Sequence, residues 1–227
     1  MEAVFLDAGG VLTRLEAPRA ALFREAGLRL GHPVSLSTAE ALFAALRRLR
    51  ATRRPLLLED YPRFHREALA QGAEITGLGD DYLAVWKAYR QLLQEPRYRS
   101  PFSDAKPTLA TLREAGLCLG VISNAATGLV PLLEGFGLAS SFDAILASEA
   151  VGYAKPQPEM FREALRALGV AAEDAVHVGD SYPYDYLGAT RAGLRAILLD
   201  REGTAEADVP RIGSLAVLPR ALDLEAL

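Results

Sequence analysis

Apolar positions along the chain fall into two kinds of run. Short unbroken ones end in a polar or small residue: V-F-L-D at 4 to 7, L-C-L-G-V-I-S at 117 to 123, A-I-L-A-S at 144 to 148, A-V-H-V-G-D at 175 to 180 and A-I-L-L-D at 196 to 200. Apolar at nearly every position, such runs read as strands buried on both faces, as in a parallel sheet. Between the later ones lie amphipathic helical patterns: P-T-L-A-T-L-R-E-A-G, G-L-V-P-L-L-E-G-F-G, P-E-M-F-R-E-A-L-R-A-L-G and Y-D-Y-L-G-A-T-R-A-G. Several close on a glycine, the usual left-handed helix stop. This alternation predicts an α/β fold with a doubly wound parallel sheet and chemistry at the carboxyl ends of its strands.

The first strand breaks the rhythm. More than a hundred residues separate V-F-L-D from the next strand run, whereas a parallel crossover needs only about a dozen residues or a helix. Residues 16–97 fill the gap with helical periodicity and little strand signal, as in A-A-L-F-R-E-A-G-L-R-L-G and D-Y-L-A-V-W-K-A-Y-R-Q-L-L. The expected organisation is a sheet core from residues 1–15 and 98–227, interrupted by an α-helical cap domain over 16–97. The stretch S-P-F-S-D-A-K-P at 100 to 107 reads as the linker back to the sheet.

Composition narrows the partners. A formal charge of -4 and a pI near 5.5, with arginines dispersed among glutamates, leave no basic footprint for nucleic acid. No apolar stretch reaches the length of a membrane span, and the single cysteine, Cys118, sits in an apolar run with no partner for a disulfide. These features predict a cytoplasmic protein with no nucleic-acid or membrane partner, and the aromatic and leucine content of the inserted segment allows a homodimer as well as a monomer.

Five features fall at strand ends. Asp7 ends the first run, Ser123-Asn124 the second, Lys155 lies in G-Y-A-K-P-Q-P, and Asp180 and Asp185 lie in V-G-D-S-Y-P-Y-D-Y-L-G-A. In order and context this set resembles the four signature motifs of the haloacid dehalogenase superfamily. The resemblance covers residues 1–15 and roughly 98–227; the inserted segment matches only in position and helical character. It implies a Rossmann-like hydrolase core of the phosphatase branch, with Asp7 as nucleophile and an aspartyl-phosphate intermediate.

The residues suit that chemistry. Asp7 precedes Gly9-Gly10, whose missing side chains let backbone close around a ligand. A carboxylate approaches a phosphoryl group only where cations and donors neutralise the charge, and Lys155 and a metal are the candidates. The resemblance implies Mg²⁺ held by Asp7, the backbone carbonyl of Gly9 and Asp180, with Ser123, Asn124 and Lys155 around the phosphate. Oxygen-only ligands suit that ion. Asp185 falls where the family carries an acidic residue that orients metal-bound water or the metal ligands; the other reading makes it a charge at a helix N-terminus. Ser123 is alternatively a turn former, and Asp7 a carboxylate closing the turn after its strand.

The first motif departs from the branch. The family usually reads aspartate, any residue, aspartate, and this chain has Asp7-Ala8-Gly9. The absent carboxylate normally protonates the leaving group and activates water, a task worth about 10²–10⁴ in rate. One explanation is a phosphatase for acyl or aryl phosphates, whose leaving groups need no proton, or one with an acid supplied by the cap. A second is a 2-haloacid dehalogenase, which also lacks this aspartate but works without metal, so that Asp180 would crowd negative charge against Asp7. A third is a phosphate-binding or regulatory protein that has lost turnover. A phosphonate-cleaving relative would need a cap lysine, and of the three lysines only Lys87 lies there, in a helical run with an exposed face.

The remaining candidates divide between site and scaffold. Arg47, Arg48, Arg50, Arg53 and Arg54 either meet an anionic substrate or form a solvated helix face. Tyr153, Tyr182, Tyr184 and Tyr186 either line the pocket or pack. His32 and His65 fall in the cap and His177 inside a strand, so the three histidines form no site.

Overall fold

The computed structural model describes residues 1–52, 61–205 and 207–224, with only the backbone of 50–52 and 61–62. In chain order the elements are β1 (Ala3–Leu6), β2 (Thr13–Leu15), α1 (Arg19–Arg29), α2 (Leu36–Thr52), α3 (Tyr61–Thr76), α4 (Tyr82–Leu92) and β3 (Arg99–Pro101). Then follow α5 (Ala105–Glu114), β4 (Cys118–Ser123), α6 (Leu129–Gly135), β5 (Ala144–Ala147), α7 (Ser148–Val151), α8 (Pro158–Leu168) and β6 (Ala175–Gly179). The chain continues through α9 (Leu187–Arg191), β7 (Arg195–Leu199), β8 (Arg211–Ile212) and α10 (Leu218–Ala221). The residues form two compact units, Met1–Arg14 with Ser100–Leu227, and Leu15–Arg99.

The first unit is built on a six-stranded sheet of order β5-β4-β1-β6-β7-β8, parallel at every pairing. All five strand runs read from the sequence are present. The period of two then sorts their side chains. Val4, Leu6, Leu119, Val121, Val176 and Val178 pack on one face with residues of α5, α6 and α10. Ala3, Phe5, Ile122 and Ala175 pack on the other with Met160, Phe161 and Leu165 of α8 and Ala189 of α9. Helices on both faces are what make the strands apolar at nearly every position.

From β1 the chain winds outward to β4 and β5, then crosses back to β6, β7 and β8 on the other side. The sheet therefore reverses its direction of growth at β1, where side-by-side strands lead their following loops apart and open a crevice at their carboxyl ends. Three short strands were not read from the sequence. β2 and β3 pair in a separate ribbon where the chain leaves and rejoins the first unit, and β8 adds a two-residue edge. Such short strands carry too little alternation to register.

The second unit holds the four helices α1 to α4. Its core is apolar and aromatic: the Phe23 ring lies 5.8–6.2 Å from the rings of Phe43, Tyr82, Trp86 and Tyr89. On α2, Arg47 and Arg48 are exposed. Arg53, Arg54 and the side chain of Arg50 lie outside the described residues. Among the described residues, no helix is long and apolar enough to cross a membrane.

Candidate active site

Asp7 leaves β1 with its backbone N–H donating to the Val178 carbonyl of β6 at 3.0 Å. That bond continues the sheet one residue past the strand and fixes the direction of the side chain. The chain then turns sharply. The Ala8 carbonyl accepts from the N–H groups of Leu12 and Thr13 and from the Thr13 hydroxyl, and the Leu12 carbonyl accepts from Phe102 N–H. Arg201 donates to the carbonyls of Gly10 and Val11. Among the described residues, these bonds use every carbonyl from Ala8 to Leu12 except that of Gly9.

Glycine is required at position 10 for two reasons. Its φ is +83°, and a Cβ there would fall 2.0 Å from Oδ2 of Asp180. The Asp180 carboxylate, at the end of β6, thus lies directly against the turn that follows Asp7. Close packing recurs at Gly179, where a Cβ would fall 2.1 Å from Cγ of Asp185. Asp185 reaches that place because Tyr182–Tyr186 form one π-helical turn before α9, with Asp185 N–H donating to the Ser181 carbonyl. Its own Oδ2 accepts from Ser181 N–H at 3.0 Å.

Lys155 joins these carboxylates. The side chain is buried, with Nζ 2.9 Å from Oδ1 of Asp7 and 2.5 Å from Oδ1 of Asp185. Burial acts against its charged form, but Asp185 and Asp7 outweigh that and its pKa is pushed up to about 12. Burial would likewise raise Asp185, yet Lys155 and His177 hold it well below the usual carboxylate range. The contact with Asp7 is an ion pair only. The buried Oδ1 of Asp7 makes no aligned hydrogen bond, although the ammonium lies within bonding distance.

Asn124, expected beside the phosphate, has its amide turned to the backbone of Lys155, donating to that carbonyl at 2.8 Å and accepting from that N–H at 2.7 Å. Ser123 is buried at the end of β4. His177 was read as forming no site. Its Nε2 lies 2.9 Å from Oδ1 of Asp185, and its ring packs edge-on against Phe161. Burial lowers its pKa, which favours the neutral ring. The clue in the sequence was a polar residue inside an otherwise apolar strand, since a buried polar ring requires a partner. Among the tyrosines, Tyr182 and Tyr186 stack at 5.7 Å and Tyr153 is exposed.

Asp7, Asp180 and Asp185 bring carboxylate oxygens within 4.8 Å of one another. The Lys155 ammonium reaches two of these carboxylates, Asp7 and Asp185. Carboxylates gathered this closely are a setting in which a bound cation offsets their mutual repulsion. The donor set fits one: carboxylate oxygens, the buried and unaligned Oδ1 of Asp7, and the unused Gly9 carbonyl. Such all-oxygen sets favour hard divalent ions such as Mg²⁺.

Comparison with known proteins gives the chemistry a context. The family model for haloacid dehalogenase-like hydrolases matches residues 1–193. The chain is 36% identical over 203 residues to a phosphoserine phosphatase of Thermus thermophilus, covering 85% of this chain and 76% of that one. It is 40% identical over 139 residues to mouse haloacid dehalogenase-like hydrolase domain-containing protein 3, covering 56% of this chain. That match spans about half of the relative's length, 55%. Among solved structures, a 2-haloacid dehalogenase of Pseudomonas syringae pv. Tomato DC3000 is 30% identical, covers 98% of both chains and superposes with a TM-score of 0.63.

Proposed function

From the premise that this chain belongs to the haloacid dehalogenase-like hydrolases, we propose that it is a Mg²⁺-dependent phosphatase of a small phosphorylated metabolite, with Asp7 as nucleophile. The observation that carries this reading is the cluster of three carboxylates, Asp7, Asp180 and Asp185, with oxygens within 4.8 Å of one another at the carboxyl end of the sheet. A metal-free dehalogenase has no use for Asp180, whose charge would only oppose Asp7. All of the proposed machinery belongs to the sheet unit; the helical unit takes the cap assignment.

In this reading Asp7, the Gly9 carbonyl and Asp180 would hold the ion, which would supply positive charge to offset that of the phosphoryl group. Asp7 attacks phosphorus through one carboxylate oxygen, forming an aspartyl phosphate while the bond to the leaving oxygen breaks. Lys155 neutralises charge on the nucleophile and on the transferring group, and Ser123 offers a hydroxyl donor to one phosphate oxygen. Asp185 holds the Lys155 ammonium in place. Asn124 braces the lysine's backbone from the other side. Water then cleaves the acyl phosphate and returns Asp7 as carboxylate.

No side chain at position 9 can protonate the leaving group, because the residue is glycine. The reading therefore favours substrates that leave as stable anions, acyl and aryl phosphates. The relatives named for phosphoserine and other phosphate esters support the reaction class and leave the preferred metabolite to experiment. The test is phosphate release from acetyl phosphate, p-nitrophenyl phosphate and a panel of sugar and nucleotide phosphates, with Mg²⁺ and with EDTA. Metal-dependent release strongest on the first two is expected. Absence of release from every compound, with no halide released from 2-haloacids, would leave a phosphate-binding protein as the better account.

A further inference from the structure

Arg201 stands outside every motif, just beyond β7, yet its side chain bonds two carbonyls of the turn that follows Asp7. Its Nε donates to the Gly10 carbonyl at 3.3 Å and its Nη2 to the Val11 carbonyl at 2.9 Å. The adjoining edge of the guanidinium forms a two-point fork with Asp104, Nη1 to Oδ2 at 2.8 Å and Nη2 to Oδ1 at 3.0 Å. Its flat face lies over the Phe102 ring, with Cζ 3.8 Å from the centroid. Asp104 is itself fixed, its Oδ2 accepting from the Ser214 hydroxyl at 2.6 Å and Leu215 N–H at 3.0 Å.

We propose that Arg201, anchored by Asp104, is a positioning residue that sets the separation of the metal-binding oxygens. The proposal rests on the phosphatase reading above. The Gly10 peptide is the spacer between Asp7 and Asp180, since Asp180 occupies the place a Cβ at Gly10 would need. Arg201 holds the carbonyl of that residue and of its successor, and Phe102 N–H holds the next. With its neighbours tied down, the Gly9 carbonyl is left out of this set of bonds among the described residues. The guanidinium is suited to this as an ammonium is not: it presents planar donors along two edges at once, one edge to the turn and one to a carboxylate, while its face stacks on a ring.

The test compares Arg201→Lys and Arg201→Met with the unmodified chain by calorimetric Mg²⁺ titration, well below each protein's melting temperature, with turnover measured across Mg²⁺ concentration. Loss of a residue that supports metal ligands costs roughly 10- to 100-fold in metal affinity. Both variants are expected to bind Mg²⁺ at least about tenfold more weakly, with kcat substantially recovered at saturating Mg²⁺. A role confined to holding the fold lowers the melting temperature and leaves Mg²⁺ affinity unchanged. If Arg201→Met does not fold, Arg201→Lys decides. A folded variant that binds Mg²⁺ as tightly as the unmodified chain overturns the proposal. An unmodified chain that binds no Mg²⁺ overturns the metal reading and the clamp with it, a result distinct from failure of the clamp alone.

Discussion

The two units of this molecule bury different kinds of side chain. Every buried polar or charged residue found among the described residues, including Asp7, Ser123, Lys155, His177 and Asp185, belongs to the sheet unit. The helical unit packs Phe23, Leu42, Tyr82, Val85, Tyr89 and Leu92 together and keeps its charges at the surface, as in the network of Glu25, Arg29, Glu95 and Arg97. Burying a charge is costly without a paired and hydrogen-bonded partner. A fold that gathers such groups at one sheet end marks that end as the place of chemistry, whereas an apolar helical core requires only shape and volume.

That contrast breaks most sharply at Asp7. Asp7→Asn keeps the shape and removes the nucleophile, and turnover is expected to fall by about 10⁴-fold or more, with melting close to that of the unmodified chain. Phosphate release kinetics alongside circular dichroism melts check both halves. Lys155→Met comes next. It leaves Asp7 and Asp185 facing each other without their shared cation, and breaking a buried pair in this way costs about 3–5 kcal/mol. Denaturant titration should show that loss, and added Mg²⁺ should recover part of it.

Phe23→Leu sharpens the other side of the comparison. The ring is fully buried among four aromatic neighbours. Its replacement is expected to cost about 1–2 kcal/mol of stability while Mg²⁺ affinity, measured by calorimetry, stays unchanged. The smallest effect concerns Asp104. Burial alone would raise its pKa, but bonds from Arg201, Ser214 and Leu215 hold it below the usual value of 3.8. Its contribution to stability is therefore present above pH 3.8 and lost as pH falls through the lowered folded value. Melts of Asp104→Asn between neutral and strongly acidic pH should show a shallower acid decline than the unmodified chain.

The same contrast explains what could be read from sequence. The strands of the sheet were legible because β1, β4 and β6 are covered on both faces and so are apolar at nearly every position. Asp7, Ser123 and Asp180 were legible because a strand's carboxyl end is a position that a linear pattern identifies. Lys155 was found through its motif, but its ion pair with Asp185 arises from a π-helical turn that periodicity does not announce. Asn124 and His177 were seen without their partners, which lie 31 and 8 residues away. Arg201 was missed altogether: its bonds reach back 191 and 190 residues, and nothing near it in the chain distinguishes it from the surface arginines. Groups placed by local periodicity are readable one segment at a time, and groups placed by tertiary pairing are not.

The most direct test of the account is capture of the covalent intermediate. The protein is mixed with acetyl phosphate in Mg²⁺ or in EDTA, quenched in acid, and its peptides are examined by mass spectrometry. The account predicts a phosphoryl group on the peptide containing Asp7, formed with Mg²⁺, absent with EDTA and absent in Asp7→Asn. Phosphate release that proceeds equally in Asp7→Asn, or a phosphoryl group on any other residue, would contradict it.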